Sequence, residues 1–172
     1  MTDTPDPPAT PGRRRPVFAR PNLPLLMLQA RERVVARFRP LLNAHGVTEQ
    51  QWRILRVLMD RGAQEPRELV LACGLSSPSL AGILARMEAD GLVSRVRMAH
   101  DQRRVRVSTT ARSRALAREV APLIDAAYAE IEARLGTDFV GGLARTLEAM
   151  IAALDPPAYV DDAAAQARDA DA

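Results

Sequence analysis

Apolar residues recur along this chain with two different periods, and the switch between them outlines an architecture. Leu25, Leu28, Val35, Phe38 and Leu42 fall at helical spacing behind Pro24, whose fixed φ suits a first helical turn, and predict a long helix to about Asn43. Two of its faces are semi-apolar, as expected of a helix with partners on more than one side. Thr48 and Gln51 are spaced as a capping box for a second helix carrying Trp52, Leu55, Leu58 and Met59, with Gly62 as its stop. A short third helix from Pro66 carries Leu69, Val70 and Ala72 and ends before Gly74. Ser76 or Ser77 caps a fourth, with Pro78 in its first turn, Leu80, Ile83, Leu84 and Met87 as its stripe, and Gly91 as its stop. The period then becomes two. Leu92 to Arg97 and Val105 to Ser108 alternate apolar with polar residues around an Arg-rich turn, which predicts a two-stranded hairpin. Thr109 or Thr110 caps a long helix through Leu116, Val120, Leu123, Ile124, Tyr128, Ile131 and Leu135, expected to kink or restart at Pro122. A last helix, from Thr137 or Asp138 to Leu154, is expected to turn Phe139, Leu143, Leu147, Met150 and Ile151 inward.

The flanks do not share this patterning. Residues 1–22 are rich in Pro, Thr and Asp, include Arg13-Arg14-Arg15, and read as a flexible arm. Residues 155–172 open with Pro156-Pro157 and read as a disordered acidic tail. Between them, 23–154 forms a single domain of mainly α class with a small β-hairpin. Of the 172 residues 47% are hydrophobic, enough for a core, but only 3% are aromatic, so the core is aliphatic and helical in character. A net charge of +3 understates how the charges are sorted. Arg86 to Arg118 holds nine arginines against three acids, Glu88, Asp90 and Asp101. A basic block inside a folded region is the footprint of a nucleic-acid binder. All 24 basic residues are arginine, a bias assigned to codon choice in a GC-rich genome and given no functional weight. The single cysteine, Cys73, excludes an intramolecular disulfide. No secretory leader or bilayer-spanning run is evident, so a cytoplasmic protein without a membrane partner is expected.

Two helices joined by the tight turn Ala72-Cys73-Gly74-Leu75-Ser76 make a helix-turn-helix candidate, with Ser76–Asp90 as its recognition helix. The N-terminal end of such a helix lies nearest the base edges of the major groove. Ser76, Ser77 and Ser79 supply small hydrogen-bonding groups there, and Arg86 two turns on can reach a phosphate or a base. One of these serines is expected to cap the helix whatever else it does. The hairpin that follows carries Arg95 and Arg97 on its first strand and Gln102, Arg103 and Arg104 near its tip, His100–Arg106. An exposed arginine at such a tip can enter a minor groove and sense its width. Double-stranded DNA is the expected partner. Catalysis is not expected: the two histidines, His45 and His100, lack metal-ligand spacing to any partner, and neither a phosphate-cradling loop nor a nucleophile elbow is present. Neither metal nor cofactor is expected.

Asp101-Gln102-Arg103-Arg104-Val105-Arg106-Val107 resembles the D-x-R-x-x-x-V wing signature of the MarR family of bacterial regulators. Leu84-Ala85-Arg86-Met87-Glu88-Ala89-Asp90-Gly91-Leu92-Val93 resembles that family's L-x-R-L-E-x-x-G-L-V. Leu28–Glu32, Phe38–Pro40, His45–Arg53 and Asp101–Val105 look most like the regulators of homoprotocatechuate (4-hydroxyphenylacetate) degradation operons. Two positions depart from the pattern V-x-L-T-x-x-G behind the wing: Thr109 stands for the Leu and Ser113 for the Gly. The resemblance implies a winged helix over about 46–110, flanked by dimerisation helices at about 23–44 and 110–154. It implies a homodimer that straddles a pseudo-palindromic operator and acts as a repressor. It also implies a small aromatic acid effector, such as homoprotocatechuate or a hydroxynicotinate, bound where the dimer helices meet the DNA lobe. Arg31, Arg39, His45, Trp52 and Arg56 are the candidate lining residues, because an aromatic carboxylate calls for a cationic fork and a flat apolar wall. Trp52 serves equally as core, and His45 suits the carbonyl end of a helix. The alternatives are a redox-sensing regulator that uses Cys73, disfavoured by that residue's apolar setting, and an architectural DNA binder without an effector.

Overall fold

The computed structural model describes residues 20–98 and 101–154, with side chains described from Arg20 to Arg97 and from Arg104 to Leu154. The Arg13–Arg15 arm, the tail from 155 and the hairpin turn at His100 lie outside these residues, as do the side chains of Gln102 and Arg103. The elements run α1 (Leu23–Ala44), α2 (Glu49–Arg61), α3 (Pro66–Cys73), α4 (Ser77–Ala89), β1 (Val93–Met98), β2 (Asp101–Thr109), α5 (Ala111–Leu135) and α6 (Thr137–Ala153). The chain divides into two compact units, Met1–Ala36 and Arg37–Ala172.

In the first unit, helix α1 starts where Asn22 Oδ1 accepts from the Leu25 N–H at 3.1 Å, a cap at the residue before the helix. Leu23, Leu25, Leu26, Met27, Leu28 and Val34 are all exposed there.

The second unit holds the core. Phe38 and Leu42 from the end of α1 join Ile54, Leu55 and Leu58 of α2, Leu69 and Val70 of α3, and Leu80, Ile83, Leu84 and Met87 of α4. Val93 and Val107 from the hairpin and Val120, Ile124 and Ala127 from α5 complete it. Phe38 stacks in a tilted pair on Tyr128 of α5, with centroids 4.9 Å apart. Local chemistry places the ends of these helices. Thr48 Oγ1 accepts from the Gln51 N–H while Gln51 Oε1 accepts from the Thr48 N–H, so α2 opens on the predicted capping box. Thr110 and Ser113 repeat that exchange at α5, and Thr110 Oγ1 also donates to the Gly91 carbonyl at 2.7 Å. Ser113, which departs from the family pattern, is fully buried and earns its place as the cap's second half.

Strands β1 and β2 pair antiparallel from Val93 opposite Thr109 to Arg97 opposite Val105, with a register shift before Met98. Gln64, in the α2–α3 connection, adds a two-bond bridge to Val107 on the free edge of β2. One alternative is excluded and one expectation corrected. Helix α5 runs unbroken with Pro122 inside it, so there is no fresh start. The missing proline N–H leaves only the Arg118 carbonyl without its usual donor, a loss one exposed turn can absorb. Helix α6 buries no residue in this chain: Phe139 is 57% and Ile151 69% exposed, and Leu143 is exposed too. Periodicity marks which side of a helix is apolar, but not whether the same chain covers that side.

Candidate DNA-binding surface and adjoining cleft

The α3–α4 corner is built by backbone conformation and a cap. Helix α3 ends at Gly74, whose φ of 58° and ψ of 46° lie in the left-handed region that a side chain disfavours. Its successor Leu75 returns its N–H to the Val70 carbonyl at 3.2 Å. Ser76 then caps α4: its Oγ accepts from the Ser79 N–H at 3.4 Å and bonds to the Ser79 hydroxyl at 2.8 Å. The two helix axes bend by 110° across the corner, within the range of a helix-turn-helix. Leu80, Ile83, Leu84 and Met87 point into the core, which leaves Ser77, Ser79 and Arg86 on the exposed side of α4. So Ser76 and Ser79 spend part of their hydrogen-bonding capacity inside the protein, and Ser79, Ser77 and Arg86 are presented outward.

The wing is tied to the lobe more tightly than its exposure suggests. Arg95 of β1 donates its Nε to Glu88 Oε2 at 2.7 Å, joining the last turn of α4 to the hairpin. Arg104 of β2 donates its Nε to Glu65 Oε1 at 2.9 Å, and its Nη2 reaches the same oxygen. The Arg106 guanidinium donates to the Ala63 carbonyl. With the Gln64–Val107 bridge, residues 63–65 thus form a seat for β2. The Arg104 hydrogen bond holds the Glu65 carboxyl below its ordinary value, and Arg95 does the same for Glu88. Arg97 is exposed on β1. None of these clamps was signalled by the sequence, because each joins residues brought together only by the fold.

A cleft of about 280 Å³ lies between α2 and α5. Trp52, Arg56 and Met59 line one side, and Ala117, Arg118, Ala121, Ile124 and Asp125 the other. Of the five expected ligand contacts, the structure brings Trp52 and Arg56 together here. Arg56 meets Asp60 at 3.7 Å, both exposed, a weak pairing that another carboxylate can replace. His45 stands apart, in a second hollow of about 240 Å³ with Asp90 and Arg112. Its Nδ1 bonds the Leu41 carbonyl at 2.8 Å, the helix-end role the sequence suggested for it. Arg39 is exposed on α1 and does not line the α2–α5 cleft, and Arg31 is exposed in the first unit. Arg118 and Asp125 were not anticipated; their spacing of seven on the α5 stripe was the available signal.

Cys73 is buried, and burial pushes its thiol pKa up against the opposing field of Arg53 and Arg61. A thiol so placed is a poor oxidant sensor. Among the described residues no three His, Cys, Asp or Glu side chains group to hold a metal ion, and no single helix is long and apolar enough to cross a membrane.

Comparison with known proteins now decides the family. Residues 45–104 match the model of the MarR family. The homoprotocatechuate degradative operon repressor of Escherichia coli is 40% identical over 131 residues, covering 76% of this chain and 88% of that protein. The chain belongs to the MarR family. Among solved structures, the transcriptional regulator PA4135 superposes with a TM-score of 0.76 at 38% identity, covering 80% of this chain and all of that one. NadR in complex with 4-hydroxyphenylacetate superposes with a TM-score of 0.69 at 35% identity, covering 82% and 97%. The MarR-family fold is therefore a winged helix-turn-helix, with α3 and α4 as the two helices and β1–β2 as the wing. This MarR-family chain is a transcriptional regulator, and its relatives are regulators rather than enzymes. Regulators of the family bind DNA, act as dimers and take small-molecule ligands.

Proposed function

We propose that this regulator is a cytoplasmic repressor, released from a pseudo-palindromic operator when a small hydroxylated aromatic acid enters the α2–α5 cleft. The observation that carries the effector is the cleft's composition: a flat indole, Trp52, beside two guanidinium groups, Arg56 and Arg118, with small alanines leaving room between them. An aromatic monocarboxylate fits that set, its ring against Trp52 and its charge on an arginine that gives up Asp60. NadR, whose solved complex holds 4-hydroxyphenylacetate, supports the same class of ligand.

The DNA end of the proposal rests on α4 and the wing. Ser77, Ser79 and Arg86 face outward to read the major groove, and the hairpin with Arg97, Gln102 and Arg103 meets the flanking minor groove. Arg95 and Arg104 hold the wing's attitude through Glu88 and Glu65 and present what remains of their guanidinium surface to phosphates. Exposed apolar side chains of α5 and α6, Leu123, Leu135, Phe139 and Leu143 among them, provide the face for a second copy, and two-fold symmetry then spaces the half-sites by about 34–36 Å. The regulator's domain is taken as 23–154. Titration with 4-hydroxyphenylacetate tests the effector. A calorimetric binding signal together with loss of operator affinity is expected; absence of both for this acid and for homoprotocatechuate and hydroxynicotinate rejects it.

A further inference from the structure

Arg53 makes contacts that neither the DNA surface nor the cleft accounts for. It sits on α2 between Trp52 and Arg56, which line the cleft, but about a quarter turn round the helix from them at ~100° per residue. Its Nε donates to Glu49 Oε1 at 3.0 Å, and its Nη2 to both Glu49 oxygens at 2.8 and 2.9 Å. Its Nη1 donates to the Cys73 carbonyl at 2.5 Å. All three guanidinium nitrogens are engaged, with Arg53 and Glu49 side chains only 28% and 23% exposed. Glu49 fixes the fork from the same helix, one turn back, so the planar group leaves α2 in a set direction. Its target is one of the last four carbonyls of α3, which have no partner within their own helix. Gly74 and the α4 cap Ser76 follow within three residues.

We propose that Arg53 is the positioning residue that couples the cleft to DNA reading: it ties α2 to the helix-turn-helix corner, so an acid that shifts α2 also shifts the Cys73 carbonyl and the N-terminus of α4. The inference rests on the cleft as the effector site. It explains why the strap is an arginine, since a lysine ammonium lacks the planar fork that Glu49 orients while a second arm reaches across. The neutral carbonyl target suits the role as well: a hydrogen bond to a helix end is directional and transmits a small displacement, whereas an exposed ion pair tolerates one.

The test compares wild type, Arg53→Ala, Arg53→Lys and Glu49→Gln in operator and non-operator binding, with and without saturating 4-hydroxyphenylacetate, alongside calorimetry of the acid. In wild type the acid weakens operator binding by a factor in the usual 5–150-fold range for coupled sites. In Arg53→Ala the acid is expected to bind within about two-fold of wild type while that factor collapses toward one, and operator preference over non-operator DNA falls roughly ten-fold even without acid. Arg53→Lys restores the fold's melting behaviour but only part of the coupling, and Glu49→Gln gives an intermediate factor. A full wild-type factor in Arg53→Ala overturns the inference. If wild type itself ignores the acid, the effector reading fails instead, and the acid-free arm decides alone: unchanged operator preference in Arg53→Ala overturns the role of Arg53, and a selective loss of it upholds the strap.

Discussion

Helices α4 and α6 both carry apolar stripes and meet opposite fates. Leu80, Ile83, Leu84 and Met87 of α4 are all buried, whereas α6 buries nothing and leaves Phe139, Leu143 and Ile151 exposed. The recognition lobe is covered within one chain: α2, α3, α4 and the hairpin share a core with the end of α1 and the buried face of α5, and caps and arginine clamps fix its edges. Helix α6 and the outer faces of α1 and α5 are not covered in this way. Large apolar side chains stay exposed on α6, at Leu123, Tyr128 and Leu135 of α5 and, in the first unit, at Leu23 and Leu25 to Leu28 of α1, and grouped exposed apolar side chains mark interaction surfaces. The difference separates two kinds of stability, one belonging to the chain and one that depends on its concentration.

The largest effect should come from breaking the second kind. The pair Phe139→Asp and Ile151→Asp is expected to yield a folded monomer whose operator affinity falls about 10²–10⁴-fold, the avidity lost when two half-sites are no longer engaged together. Sedimentation and operator binding read it, and a dimer with unchanged affinity would place the interface elsewhere. Next, Leu84→Ala attacks the lobe's own core and should cost about 2–5 kcal/mol of unfolding free energy. The loss should not depend on protein concentration in chemical denaturation of the monomeric variant; a concentration-dependent loss there would erase the distinction between the regions. Arg103→Ala, at the wing, is expected to weaken operator binding by about 1–3 kcal/mol with the fold intact, as for a single specific contact.

What was legible in the sequence follows the same division. Positions α4 and the hairpin could be drawn from Ser76, Pro78, Gly91 and the change of period, since caps and periodicity are local signals. The cover of Phe139 and Ile151 was legible only through the family resemblance, which implied dimerisation helices over 110–154, because a stripe records only that some apolar surface must meet it. The wing's seat was hidden for a different reason. Glu65 and Arg104 are 39 residues apart and Arg106 and Ala63 are 43 apart, so no spacing rule links them. The same holds for Arg53 and Cys73, 20 residues apart. Trp52 and Arg56 were visible as a candidate cleft wall, while Arg118 and Asp125 are polar positions of a helix read for its apolar stripe.

The smallest effect is local and set by pH. Glu65 and Glu88 have carboxyls held below their ordinary value by Arg104 and Arg95, so the clamps are fully in place above the unfolded-state value and are lost as pH falls through the lowered one. Amide exchange should then rise in β1 and β2 only once the pH is taken below the ordinary carboxylate range, while α4 stays protected. Glu65→Gln should remove the β2 share of that response; a wing indifferent to acid would show that the clamps carry no weight.

The central claim is that two self-contained lobes, joined by the terminal helices, read one two-fold site. Hydroxyl-radical footprinting of the protein on DNA it selects tests this most directly. Two protected stretches centred about one helical turn apart, 10–10.5 base pairs or a multiple, are expected, vanishing together in the Phe139 and Ile151 double variant. A single protected stretch, or uniform protection of any sequence, would contradict it.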